Sequence, residues 1–268
     1  MADENSGLPG VAASSGAKPP SKSWLWTGVT WVLVVVFLTV GAVLCVAVGG
    51  TAALLGDRQR RVAHQMLRFG YGCVVRLHPR YRLRMTGLEN LPAGPAVLCP
   101  NHQSHSDVVF LYALPLFFKW VIKKELGRVP LFGISMRVAR YPIVDRGDPQ
   151  SAMQLMQEVA AALVAGVPVL TFPEGTRSTS SELGRFQSGG ARMAIASQVP
   201  LVPIGVAGTG TLLPRGSAWF SDQRRVGIHV GRPIPTAGRT VHEVRALTRE
   251  LRAAVLEARQ RATALLER

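Results

Sequence analysis

The chain holds only three cysteines in 268 residues, Cys45, Cys73 and Cys99, far apart and set among apolar neighbours. That excludes a disulfide framework or a zinc ribbon and predicts buried, reduced thiols. Charge is also scarce: 18% of residues are Asp, Glu, Lys or Arg, against about 25% in ordinary soluble domains. Aromatic residues make up 7%, and no helix-turn-helix or base-stacking motif occurs, so the basic character of the chain does not point to nucleic acid. The sequence lacks a G-x-S-x-G elbow, a G-x-x-x-x-G-K-[ST] loop, a G-x-G-x-x-G fingerprint and a C-x-x-C pair. Serine-hydrolase, nucleotide-dependent and dithiol chemistries therefore have no motif to stand on.

The missing charge is concentrated in one place. Between Lys22 and Asp57 lie 34 residues without a charge, and their middle, Trp31 to Val48, is almost wholly aliphatic. About 20 apolar residues suffice to cross a bilayer core, so this block predicts a membrane-seated helix. It is longer than the ~7–15-residue core of a cleavable signal peptide. Of the net +15, all the excess lies beyond the block, beginning with Arg58, Arg60, Arg61, Arg68 and Arg76. Positive charge beside an apolar segment marks the cytoplasmic side and favours anionic lipid. The expectation is a plasma-membrane protein with its main domain in the cytoplasm and membrane lipids as partners.

Periodicity divides the rest. Residues 1–22 are rich in Gly, Ser, Ala and Pro and are expected to be disordered. Residues 23–78 pair the apolar helix with an amphipathic one, in which Val62, Met66, Phe69, Cys73 and Leu77 recur at helical spacing. That second helix suits either a membrane surface or the core of the domain. Residues 79–268 read as one α/β domain. Short apolar runs at 81–86, 96–99, 118–122, 169–172, 199–206 and 226–230 predict strands. Residues 151–164, 190–197 and the segment from Val241 predict helices. Strands alternating with helices imply a single domain with a mainly parallel sheet flanked by helices.

Two polar segments follow predicted strands, where α/β proteins place reactive groups. The first is P-N-H-Q-S-H-S-D, Pro100 to Asp107. Across a turn His102 and Asp107 can meet, so that the carboxylate fixes one ring nitrogen and the other takes a proton from an alcohol. The same residues suit a helix N-cap with surface histidines, or, with His105, a three-ligand metal site. The remaining histidines lack ligand spacing, which disfavours the metal. The second segment is T-F-P-E-G-T-R-S, Thr171 to Ser178, in which Gly175 permits a tight turn and Arg177 offers a fork of donors to a phosphate. A plain turn closed by a Glu174–Arg177 pair is the structural alternative. Lys123, Lys124, Arg146 and Arg185, with Gly189-Gly190 opening a helix, add to an anion site.

N-H-Q-S-H-S-D at 101–107, K-K-E-L, P-L-F-G and I-V-D-R across 123–146, F-P-E-G-T-R-S at 172–178 and V-P-I at 202–204 resemble, in order and spacing, the four blocks of the lysophosphatidic acid (1-acylglycerol-3-phosphate) acyltransferase family. The resemblance implies an α/β fold behind an N-terminal two-helix membrane motif, with no cofactor beyond an acyl-CoA or acyl carrier protein thioester. It implies His102 as general base on the lysophospholipid hydroxyl and Asp107 as its orienting acid. Arg177, with Lys124 and the Glu174-Gly175-Thr176 turn, would hold the acceptor phosphate, and Pro203 and Ile204 would shape the pocket. The chain departs from the usual pattern at His105, Arg140 and Gln187, which bears on the acceptor head group. Another lysophospholipid or an amino-acid lipid is the alternative acceptor, and a non-enzymatic binder of anionic lipid or a metallohydrolase the alternative class.

Overall fold

A computed structural model describes residues 24–145, 147–177 and 182–267. The expected disordered tail, Arg146 and Ser178 lie outside the described residues.

The uncharged block folds as one helix, α1 (Trp24–Leu54, 31 residues), with a π-helical turn at Cys45–Gly49. Among the described residues it is the one helix long and apolar enough to cross a membrane. It does not stand clear of the protein. Its inner face is tied to the domain near the start, where Thr27 Oγ1 accepts from Phe220 N–H at 3.1 Å and Trp31 Nε1 donates to the Ala218 carbonyl at 2.8 Å. Further along, Cys45 lies against the Ser135 carbonyl at 3.4 Å. Helix α2 (Arg61–Leu77) runs back beside it. The two backbones touch at Gly41 and Gly70, where a Cβ on Gly70 would strike the Phe37 carbonyl. The opposite face of α1 leaves Trp24, Leu25, Val32, Val35, Val36, Val40, Val43, Val48 and Leu54 exposed. Helix α2 buries Ala63, Leu67, Tyr71 and Val74 between α1 and the domain, whereas Phe69 and Leu77 of the expected apolar stripe are exposed.

Six strands form the main sheet: β1 (Arg82–Thr86), β2 (Val97–Pro100), β3 (Lys119–Trp120), β6 (Val169–Leu170), β7 (Leu201–Ala207) and β8 (Arg225–Val230). Their order is β1-β8-β7-β2-β6-β3, with every neighbouring pair parallel except β7–β8. Two short strands, β4 (Ile122–Lys123) and β5 (Ile143–Val144), pair separately. The run expected as one strand at 118–122 is thus split. Val121 N–H still bonds to Leu170, but Ile122 N–H turns to Pro142 at 2.8 Å, so the chain changes partner mid-run.

Helices cover both faces, as central strands buried on both sides require. One face packs against α1, α2, α3 (Ser106–Leu111) and α4 (Phe132–Val138). The other packs against α5 (Pro149–Val164), α6 (Gly189–Ser197) and α8 (Val244–Ala264), while α7 (Thr209–Leu212) is a single turn after β7. Cys45 and Cys99 are buried as expected, Cys73 only partly, and all three are free.

Candidate active site

The two polar segments meet at the carboxyl ends of β2 and β6. The chain leaves β2 at Pro100, and Asn101 anchors the departure. Its side chain accepts from Val206 N–H at 2.7 Å and donates to the Val206 carbonyl at 3.0 Å, locking the loop to β7. Asp107, in the first turn of α3, is fully buried. Its Oδ2 accepts from His102 Nδ1 at 2.8 Å, Gln103 N–H at 2.7 Å and Ser104 N–H at 2.9 Å. The carboxylate therefore organises the turn and orients the ring at once, while the helix N-cap reading is not met: His105 holds the cap position and no side chain bonds there. An ionised carboxylate only accepts, so Nδ1 carries the proton and Nε2 is left with its lone pair. The ring stacks on Phe172 at 3.9 Å between centroids, and 15% of the side chain reaches solvent.

Glu174 departs from both of its expected settings. It is buried at 6% exposure, and its two oxygens accept from His102 N–H at 2.8 Å and Gly184 N–H at 2.9 Å. It clamps the second segment to the first, and the plain Glu–Arg turn is not formed. Gly175 follows with φ +74°, the left-handed conformation that favours glycine, and its N–H returns to the Phe172 carbonyl at 3.0 Å. This turn leaves Thr176 exposed and Arg177 half-buried. The His105 imidazole sits in the same electrostatic environment: partial desolvation, then the charges of Arg177 and His102, push its pKa down.

The other expected residues fall elsewhere. Lys124 Nζ pairs with Asp145 at 3.0 Å and lines a groove on the outer edge of the sheet that does not include His102, Asp107 or Arg177 among its walls. Lys123 pairs with Glu125 at 3.0 Å, and Arg185 is exposed. Pro203 and Ile204 are buried in β7, in register with Cys99 and Pro100. Among the described residues no three His, Cys, Asp or Glu side chains converge as a metal-ligand set.

Three supporting contacts join residues far apart in the chain and could not be read from local sequence. Arg215 Nη1 donates to the Arg177 carbonyl at 2.8 Å across 38 residues. Ser104 Oγ donates to the Leu213 carbonyl at 2.7 Å. Gln103, with its amide oxygen turned toward α8, accepts from Arg259 Nε and Nη2 at 3.1 and 2.9 Å. Beside His105 and Ser106 an apolar cavity of about 220 Å³ runs between the domain and the inner face of α1, walled by Val34, Leu38, Tyr71 and Val109.

These features coincide with matches to known proteins. An acyltransferase domain family matches residues 82–207, from the start of β1 to the end of β7. A 1-acyl-sn-glycerol-3-phosphate acyltransferase of Pseudomonas aeruginosa is 30% identical over 75% of this chain and 77% of its own. The chain belongs to this acyltransferase family. The chloroplastic family member LPAT1 of Arabidopsis thaliana is 32% identical over 72% of the chain. The chain spans only 54% of that relative and 60% of its counterpart from Brassica napus. The fold is shared with the crystal structure of the LPA acyltransferase PlsC from Thermotoga maritima, with a TM-score of 0.66, 21% identity, and coverage of 88% of this chain and 97% of that one.

Proposed function

We propose that the protein transfers an acyl chain from a thioester, acyl-CoA or acyl carrier protein, to the free hydroxyl of lysophosphatidic acid, giving phosphatidic acid. The observation that carries this reading is the His102 ring held by a fully buried Asp107 at 2.8 Å and still partly open to solvent at the end of β2. His102 Nε2 takes the hydroxyl proton as the oxygen attacks the thioester carbonyl. Asp107 stabilises the imidazolium that results. When the tetrahedral intermediate collapses, the C–S bond breaks and the imidazolium returns the proton to the leaving thiolate, so no acyl-enzyme is required. Arg177, with the exposed Thr176 beside it, suits the acceptor phosphate. Lys124, committed to Asp145, is left out of this reading. The apolar cavity beside Ser106 suits a fatty chain.

The exposed stripe of α1 supports a seat in a membrane. Burying nine large apolar side chains, each about half exposed, contributes on the order of 10 kcal/mol at ~1.5–3 kcal/mol for complete burial of one. A helix bonded to the domain at Thr27, Trp31 and Cys45 enters the bilayer sideways by this stripe, and the basic surface behind it favours an anionic leaflet such as the cytoplasmic face of a plasma membrane.

Membranes containing the protein should acylate lysophosphatidic acid. His102→Ala should lower kcat by about 10²–10⁴-fold, the usual value of general-base assistance. Undiminished turnover in that variant would overturn the mechanism. Mixed lyso-acceptors followed by mass spectrometry of the products identify the acceptor, and a phosphate-free acceptor should depend less on Arg177.

A further inference from the structure

A cavity larger than the one beside Ser106 lies elsewhere in the described residues. A groove of about 1290 Å³ runs along the outer edge of the main sheet between α5 and the segment 137–145. One end lies at Lys124 and Asp145, just past the carboxyl ends of β4 and β5. The other reaches Arg58, Ala165 and Val167, before β6 begins. Helix α5, 16 residues long, lines it throughout, which makes the groove about 24 Å long at ~1.5 Å per residue.

Its charges do not balance. Asp145 is held by Lys124, Asp148 caps α5 by accepting from Gln150 N–H at 2.9 Å, and Glu158 accepts from Gln154 at 2.9 Å. Among the described residues this leaves Arg58, Lys119, Arg137 and Arg140 lining the groove without a carboxylate partner. Lys119 is the informative one. Only 8% of it is exposed, and its Nζ has the Arg140 carbonyl, at 3.2 Å, as its hydrogen-bond partner. A buried ammonium facing like charge is costly unless a counter-ion completes it. Burial, then Arg140 and Arg60, push its pKa down, and the acids Asp57 and Glu158 only partly oppose them. Arg60 itself has two buried guanidinium nitrogens, Nε and Nη1, with no partner.

We propose that the end of the groove around Lys119, walled by Arg58 and Arg140, binds the phosphate group of an anionic ligand at a site separate from the acyl-transfer centre. Two sources present that chemistry: a phospholipid head group, and the nucleotide phosphates of a coenzyme A thioester. The exposed Leu54 and Leu55, a few residues before Arg58, place this end where a lipid head group is at hand, and the length of the groove admits an extended nucleotide carrier.

The test uses the full chain in non-ionic detergent, titrated separately with inorganic phosphate, with free coenzyme A, and with micelles doped with phosphatidylglycerol. Thermal shift and calorimetry supply the readout. Lys119→Met, which keeps the buried stem and removes the charge, should weaken binding of the occupant by about tenfold or more, since a charge-assisted bond is lost. The exposed Arg140→Gln should do the same without risk to the fold. His102→Ala should leave this binding unchanged, which separates the site from the proposed catalytic one. Without ligand, Lys119→Met should melt no lower than wild type. A Lys119-dependent response to phosphatidylglycerol alone identifies the lipid, and one to coenzyme A alone identifies the nucleotide. Binding of every probe undiminished in both variants, or no binding to wild type, overturns the proposal.

Discussion

Glu174 shows how a residue can be found by its motif and misjudged in its work. Its place after a strand and before Gly175 drew attention, but the sequence could not show that the carboxylate points inward to two N–H groups, one of them on His102. Replacing it with Ala strands two part-buried donors, each costing up to about 1–3 kcal/mol. Glu174→Ala should therefore lower the melting temperature, and in an acyl-transfer assay it should reduce kcat more than it raises KM for the phosphate-bearing acceptor. A change confined to KM would return Glu174 to the phosphate. The His102–Asp107 pair was legible because a five-residue spacing across a turn and its hydrogen bond are both local. Asn101, Arg215 and Arg259 were not, because their partners lie 38 to more than 150 residues away. Two other histidines make a pH prediction. Burial lowers the pKa of His64 to about 3 and that of His78 to about 4, from 6.5. Both are held neutral in the fold, so the unfolded chain binds more protons between pH 6.5 and 4. Stability is full above about pH 6.5 and should fall as the pH drops through that window. Thermal melts at pH 7 and pH 4.5 measure it, and His78→Gln should flatten part of the slope.

At the level of elements, the apolar pattern marked every strand of the main sheet within a few residues, since buried parallel strands read as short continuous apolar runs. The pattern failed where pairing, not polarity, decides. At 118–122 the run is uniformly apolar apart from Lys119, yet it serves two sheets, and β5 has only two residues to announce it. The long charge-free helix was plain, but its attachment was not, because Gly41 and Gly70 reveal a helix contact only when both are on facing surfaces. Gly70→Val would push a branched side chain into the Phe37 carbonyl. Overpacking of this kind costs about 1–3 kcal/mol. The variant should loosen α1 from α2, seen as faster proteolysis between Leu54 and Arg61, while Gly28→Val, which meets nothing within 4 Å, should leave the rate unchanged.

For the whole molecule, grease and charge occupy different territories. The apolar stripe of α1 and the basic excess behind it make membrane affinity a sum of two terms, of which salt weakens only the second. Binding to zwitterionic vesicles should persist at 0.5 M salt, and Val35→Ser with Val36→Ser should weaken it, as vesicle sedimentation measures. Full release at high salt would assign the affinity to charge. The bond between Thr27 and Phe220 has a consequence for how the chain is made. These residues are 193 positions apart, so the inner face of α1 emerges first during synthesis and waits until most of the domain exists before it can be fully covered. Through that interval α2 can cover part of the inner face, but the stretch around Thr27 and Trp31 stays bare. A bilayer that receives α1 early would shelter it, and the finished domain would then close over a helix already lodged in lipid, making the membrane a partner in assembly as well as the place of work.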